Sequence, residues 1–289
     1  MGLEHVRAAF ERWHALASAG GDLITAAGAV CAPTCLYHAQ NGESGGREIT
    51  IAQTVQARAM YPDLAIDLDH VITTEDRLLV QITMRGTPAI VFRAVAERRV
   101  FDSIGAVVAR VNEHAEIVEI WPYLNPGAML TFPPLASSAA PPAPVAVPGS
   151  EADAAVVATE WATAATGPEL LERILRSAAA DCLVHATNAD VGSLALLEAH
   201  FAIVQAAFPD LTVAFEPWFV AGDRPITQFT LDGTQRGALG IAPPGEARVQ
   251  STGAIVGRVD LDRRVRELWI YLAPGMGLIF PRQDRPRRR

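Results

Sequence analysis

Three histidines are the residues of this chain best suited to chemistry. His38 and His185 each end a short run, Cys35-Leu36-Tyr37 and Cys182-Leu183-Val184, and each stands shortly before an asparagine, Asn41 and Asn188. An imidazole titrates near pH 6.5, so a histidine at the end of a strand can take or give a proton at neutral pH. The same pattern also suits a structural histidine that hydrogen-bonds the asparagine and holds a strand-to-loop turn. His70 lies in phase with Leu64, Ile66 and Leu68, which predicts a buried ring with a polar partner. Asp67 and Asp69 take the opposite phase and read as a solvated face rather than a paired acid and base. Tyr37 adds a phenol beside His38, so that Tyr37, His38 and His70 could converge in one site.

Other chemistries are excluded or unsupported. All 24 basic side chains are arginine and none is lysine, which rules out Schiff-base aldolase chemistry and lysine-bound pyridoxal phosphate. There is no phosphate-binding loop, no G-x-G-x-x-G, no G-x-S-x-G and no H-E-x-x-H. Cys31-x-x-x-Cys35 lacks the second pair that a zinc site needs, and three cysteines make no disulfide framework. Cys35 and Cys182 read as small core residues. The expectation is a protein with no cofactor and no metal.

A net charge of -8 argues against a nucleic-acid partner, which requires a basic face. The basic run Arg285-Pro286-Arg287-Arg288-Arg289 reads as a solvated tail. No stretch approaches the roughly 20 apolar residues that span a bilayer. The first residues carry no apolar leader, and Val6 stands where a myristoylation signal needs Ser or Thr. These features predict a cytoplasmic protein without a membrane partner.

The candidate residues recur because the chain repeats itself. Arg110 to Pro133 returns as Arg258 to Pro281 with the frame W-x-Y-L-x-P-G-x-x-L-x-F-P, and Tyr61-Pro62-Asp63-Leu64 returns as Phe208-Pro209-Asp210-Leu211. A period of about 147 residues is too long for a solenoid, so each copy is a whole domain. Residues 1–133 form the first and 151–282 the second, with a basic tail at 283–289. The linker at 134–150 is rich in Pro, Ala and Ser and reads as an extended spacer.

Each copy orders helices before strands. Val6, Phe10, Trp13, Leu16 and Ala17 make one helical face over Glu4 to Ala19, matched at Ala152 to Ala165, where Trp161 takes the place of Trp13. A second helix leads to a short strand at Cys35 to Ala39, and a third helix spans Glu48 to Met60. Strands are predicted at Leu64 to Ile72, Leu78 to Arg85, Phe101 to Val111 and Ile117 to Leu124, with a weaker run near Ile90 to Val95. Val80, Ile82 and Met84 alternate with Gln81, Thr83 and Arg85, so one sheet face is apolar. Helices gathered on one face of a mainly antiparallel sheet make an α+β fold. Glu119-x-Trp121-x-Tyr123 and Glu267-x-Trp269-x-Tyr271 form a repeated stripe, expected to pack between the two sheets.

In Phe208-Pro209-Asp210-Leu211, Ala221-Gly222-Asp223-Arg224, Gly233-Thr234-x-x-Gly237, Gly240-Ile241-x-Pro243-Pro244-Gly245, Arg258-Val259 and Glu267-x-Trp269 the second copy resembles a SnoaL-like polyketide cyclase domain of the nuclear transport factor 2-like superfamily. The first copy keeps Pro62-Asp63-Leu64, Gly86-Thr87 and Glu119-x-Trp121. The resemblance implies two tandem cone-shaped domains, each a curved sheet wrapped on helices around an apolar pocket, packed as an intramolecular pseudo-dimer. It also implies that His38 and His185 face the pocket, with Val107 and Ile255 on its floor. Family cyclases carry an aspartate just after the tryptophan position; here Pro122 and Ile270 stand there, and Asn125 and Ala273 stand a few residues on.

The candidate catalytic residues are therefore His38, His70 and His185. Trp13, Tyr37, Asn41, Val107, Trp161, Asn188 and Ile255 are candidates for substrate binding. Three functions stay open. The first is a cofactor-free cyclase or isomerase acting on a hydrophobic, polyketide-like intermediate of specialised metabolism such as antibiotic biosynthesis. The second is an epoxide hydrolase or dehydratase, which needs Asp69 or Glu216 turned inward beside a histidine. The third is a non-catalytic binding protein. The chain is expected to be monomeric, with its first half carrying the chemistry.

Overall fold

A computed structural model describes residues 2–18, 28–39, 44–87, 89, 101–124, 132, 147–240 and 242–272. In the first half, α1 (Gly2–Ser18) and α2 (Arg47–Met60) accompany β1 (Cys31–His38), β2 (Ser44–Gly45), β3 (Ala65–Thr73), β4 (Arg77–Gly86), β5 (Phe101–Val111) and β6 (Ile117–Tyr123). The second half runs α3 (Glu151–Trp161), α4 (Gly167–Ser177), β7 (Ala178–Ala186), β8 (Val191–Gly192), α5 (Leu194–Ala207), β9 (Thr212–Phe215), β10 (Phe219–Ala221), β11 (Arg224–Thr234), β12 (Arg248–Val259) and β13 (Val265–Leu272). The strand expected at Ile90 to Val95 lies outside the described residues.

The sheets are ordered β2-β1-β6-β5-β4-β3 and β10-β11-β12-β13-β7-β8, with β9 also pairing β11. All neighbours are antiparallel except β1 with β6 and β7 with β13, so each sheet is mixed. β1 begins four residues before its expected start, and its pairing with β6 slips between Cys31 and Leu36; β7 slips likewise against β13.

Local sequence explains the element ends. Ser150 caps α3 in a reciprocal box: its hydroxyl accepts from the Asp153 amide, and the Asp153 carboxylate accepts from the Ser150 amide. Thr166 caps α4, where a proline in the first turn has no intrahelical partner to lose. Between β10 and β11 the chain reverses over Gly222 and Asp223, and Gly222 adopts φ 62°. A residue without Cβ takes that value at no steric cost.

Alternation divides each sheet into two faces. In β4, Leu78, Val80, Ile82 and Met84 join Val6 and Ala9 of α1 in the first core. In the second half, Trp161, Leu170, Ile174, Phe201, Phe229, Ile255 and Ile270 belong to a larger core. The opposite faces meet each other: Leu79, Ala106, Val108, Trp121 and Tyr123 share one buried cluster with Ile226, Ala254, Val256, Trp269 and Tyr271. The aromatic stripe thus packs between the sheets. Contacts across it come in matched pairs, Gln81 Nε2 donating to Tyr271 Oη and Gln228 Nε2 to Tyr123 Oη, each at 2.6 Å.

One residue crosses the expected boundary. Phe132, assigned by the repeat to the first domain, is fully buried in the core of the second half.

Candidate functional site

The histidines at the strand ends do not face the interiors. β1 lies parallel to β6 with Leu36 opposite Glu119 and Tyr37 opposite Ile120, so His38 shares a sheet face with Glu119 and Trp121, the face that meets the other half. Its ring stacks on Trp121 at 4.8 Å and 1°. Its Nε2 donates to Glu119 Oε1 at 2.8 Å, and Arg110 Nε donates to Glu119 Oε2 at 2.9 Å. The second half repeats the arrangement. His185 stacks on Trp269 at 4.9 Å and 5°, Nε2 meets Glu267 Oε1 at 3.0 Å, and Arg258 Nη1 donates to Glu267 Oε2 at 3.0 Å. Burial alone would raise the Glu119 and Glu267 carboxyls, but the histidine and arginine hydrogen bonds together outweigh it and hold both below their ordinary value. The expectation of pocket-facing histidines is thereby corrected: side-chain alternation along a strand parallel to β6 or β13 puts them on the joining face.

His70 is corrected for a related reason. Leu68 pairs with Ile82, but His70 pairs with Gln81, so an extra residue intervenes at Asp69. Such a bulge reverses the side-chain phase of everything after it. His70 therefore leaves the core face, is exposed, and meets Trp269 of the second half edge-on at 5.8 Å and 81°. Partial shielding of the ring from water and, after it, the nearby Arg224 guanidinium lower its pKa. His70 and His185 thus converge on Trp269, whereas His70 and His38 do not form the site expected in the first half.

The inward residues are mostly apolar. Trp13 packs against the first core, and Val107 shares the inward face through its pairing with Val80 and Pro122. Tyr37 is buried on that face, where desolvation pushes its phenol up. In the second half Trp161 and Ile255 are fully buried, and Trp161 Nε1 donates to Ser177 Oγ at 3.0 Å. Asn188 does not line an open surface: its Nδ2 donates to Phe132 O at 3.0 Å and to Asp190 Oδ2 at 2.9 Å. Asn41 lies outside the described residues. Pro122 and Ile270 are buried and inward, and among the described strand residues no carboxylate joins them on that face. Asp69 and Glu216 are exposed, so the carboxylate that an epoxide-opening site requires is not supplied by either. Among the described residues no group of three or more His, Cys, Asp or Glu is placed to hold a metal ion.

Sequence reasoning missed His200. It sits on the buried face of α5 with Leu196, Leu197, Phe201 and Val204 and is only 4% exposed. Its ring lies 4.9 Å from that of Phe132 and within 3° of parallel. Burial pushes its pKa down to about 4, only partly opposed by Asp190, so the imidazole is neutral at pH 7. Its Nε2 has no hydrogen-bond partner, and neither has Thr227 Oγ1, which is buried on the inward face of β11 opposite Ile255. The available signal was a lone histidine inside the apolar stripe of a mainly apolar helix.

No curated protein matches the chain in sequence. Among solved structures, a suggested SnoaL-like polyketide cyclase from Jannaschia sp. CCS1 is 18% identical over 42% of this chain and 85% of its own, with TM-score 0.38. AclR of Streptomyces galilaeus, for which a hydroxylase role is suggested, is 22% identical over 48% and 87%, with TM-score 0.40. A SnoaL-like polyketide cyclase from Agrobacterium tumefaciens is 18% identical over 39% and 84%, with TM-score 0.32. The family model described as SnoaL-like polyketide cyclase matches residues 8–131 and again 156–272. With most of both halves matched, the chain belongs to the SnoaL-like polyketide cyclase family, once in each half.

Proposed function

We propose that the chain is a cofactor-independent cyclase or isomerase of specialised metabolism, acting in the cytoplasm on a hydrophobic, polyketide-like molecule. The observation that carries this reading is the character of the inward face in the second half, which is mainly apolar and holds two buried polar atoms without partners, Thr227 Oγ1 and His200 Nε2, beside the hydrogen-bonded Ser251. Such a lining suits a largely apolar ligand oriented by very few hydrogen bonds. Holding an intramolecular reaction in a productive shape can supply up to roughly 7–11 kcal/mol of the barrier, so a full acid/base pair is not required. The two halves act as each other's partner across the shared aromatic cluster, and the chain works as a monomer. Incubation with linear and partly cyclised polyketide methyl esters, followed by mass spectrometry and NMR, tests the activity. Ring closure or isomerisation faster than in buffer supports it.

A second reading has one observation in its favour. Pro122 and Ile270 occupy the inward positions where family cyclases carry a carboxylate, which suits a binding protein. Tight binding of those esters without turnover would select it.

A further inference from the structure

We propose that His200, walled by Phe132 from the first half, is the hydrogen-bonding group that recognises a ligand oxygen inside the second half. The inference deepens the function proposed above and rests on it. More than nine in ten buried polar groups in folded proteins have a hydrogen-bond partner. His200 Nε2 has none, although the ring is almost wholly buried and lies on the face of α5 that builds the core. Thr227 Oγ1 is the second such atom of that interior. Two orphan polar atoms in one mainly apolar interior match the hydrogen-bonding needs of a mainly apolar molecule with one or two oxygens.

The chemistry of the imidazole defines the ligand. A neutral ring offers Nε2 as a donor to a ketone oxygen or as an acceptor from a phenol or enol hydroxyl, according to tautomer. The parallel ring of Phe132 fixes the plane in which that hydrogen bond points, and Asn188 holds the Phe132 carbonyl. The ligand class is therefore a planar, largely hydrocarbon molecule carrying a ketone, enol or phenol oxygen. Because Phe132 comes from the first half, the site is incomplete in the second repeat by itself. The repeat places Gln53 where the second half has His200, so the halves are chemically unequal. The working interior is in the second half, the reverse of what Tyr37, His38 and His70 suggest in the sequence.

The test uses the full chain and two probes that differ by one hydroxyl, 2-naphthol and naphthalene. The wild-type protein should bind 2-naphthol about five- to tenfold more tightly, the ratio one net hydrogen bond supplies in an apolar site. His200→Phe should abolish the preference and His200→Gln should keep part of it; His200→Leu replaces the phenylalanine variant if circular dichroism shows that variant unfolded. A 4-fluorophenylalanine placed at position 132 should shift its 19F resonance on titration with 2-naphthol. Equal affinity for the two probes, a preference that survives His200→Phe or His200→Leu, or an unmoved 19F signal overturns the proposal, and the orphan nitrogen then holds only a trapped water. Ester conversion whose KM is unchanged in the His200 variants sinks this proposal and leaves the cyclase reading standing. A His200-dependent preference for 2-naphthol in a protein that converts no ester supports this proposal and sinks the cyclase reading.

Discussion

Gln81 of the first half donates its Nε2 to the phenol oxygen of Tyr271 in the second at 2.6 Å, with both side chains buried between the sheets. The repeat returns the bond with the halves exchanged, from Gln228 to Tyr123. Gln81 Oε1 is already without a partner, so Tyr271→Phe leaves both ends of a buried amide unsatisfied. The expected cost is about 1–3 kcal/mol in urea unfolding. Adding Gln81→Leu should recover part of that loss, because an apolar pair leaves nothing unsatisfied. A double variant as unstable as the sum of the two single changes would refute this account of the contact.

The linker prediction follows from composition, and its consequence follows from packing. Limited proteolysis should cut first between Ala136 and Pro148, in the Pro- and Ala-rich stretch. The two fragments should then co-elute in size-exclusion chromatography, since Phe132 is buried in the other half and the aromatic cluster draws on both sheets. First cleavage inside either repeat, or fragments that separate without denaturant, would contradict the boundary or the packing respectively.

His38 and His185 should behave alike. Each stacks on a tryptophan and donates to a glutamate on the joining face. Each alanine substitution should therefore lower stability by about 1.5–3 kcal/mol, the range for a hydrogen bond to a charged group. Turnover per folded molecule should change little in either. A loss near the ~10²- to 10⁴-fold typical of a general acid/base in one variant alone would restore that histidine to the chemistry.

The parts of the fold that repeat or alternate were legible in the sequence, and the parts that depend on register were not. The phase of β4 could be read directly, because Val80, Ile82 and Met84 alternate with Gln81, Thr83 and Arg85 and the structure buries the first set in the core. The direction of His38 could not, since it depends on β1 lying parallel to β6 with Leu36 opposite Glu119. His70 was misread because a single extra residue at Asp69 reverses the phase, and nothing in the composition of β3 marks a bulge. His200 was passed over because a helix apolar on nearly all sides reads as core. Its missing partner is visible only in three dimensions.

Matched glycines of the repeat should differ in their tolerance of a methyl group. A Cβ on Gly253 would stand 2.6 Å from the Phe229 ring and 2.9 Å from the backbone oxygen of Tyr271. Neither can yield without moving the sheet, so Gly253→Ala should cost about 1–3 kcal/mol. On Gly105 the Cβ would meet Leu124 Cδ2 at 2.9 Å and Met84 Cε at 3.2 Å, both ends of flexible side chains. Gly105→Ala should cost under about 1 kcal/mol by the same measure. Thermal unfolding of the two variants side by side decides it, and equal losses would mean that the second-half core yields as readily as the first.

Acid should weaken the protein first through His200. Its pKa falls from an ordinary 6.5 to about 4 because burial disfavours the charged ring. A group depressed in this way stabilises the fold fully above its unfolded pKa, and the contribution is lost as pH falls. The loss should begin near pH 6.5 and be complete below about 4, amounting to roughly 3 kcal/mol at 1.36 kcal/mol per unit. Asp190 is the charged group acting on the ring, and its attraction for the protonated form limits the shift. The carboxylates held low by hydrogen bonds respond at lower pH, Glu119 and Glu267 from their ordinary value of 4.5 downward and Asp63, Asp153 and Asp210 from 3.8 downward. Urea unfolding across pH 7 to 4 should therefore show a steep decline in the wild-type protein and a flatter one in His200→Phe. Parallel slopes would mean that water reaches the ring and that its burial is incomplete in solution.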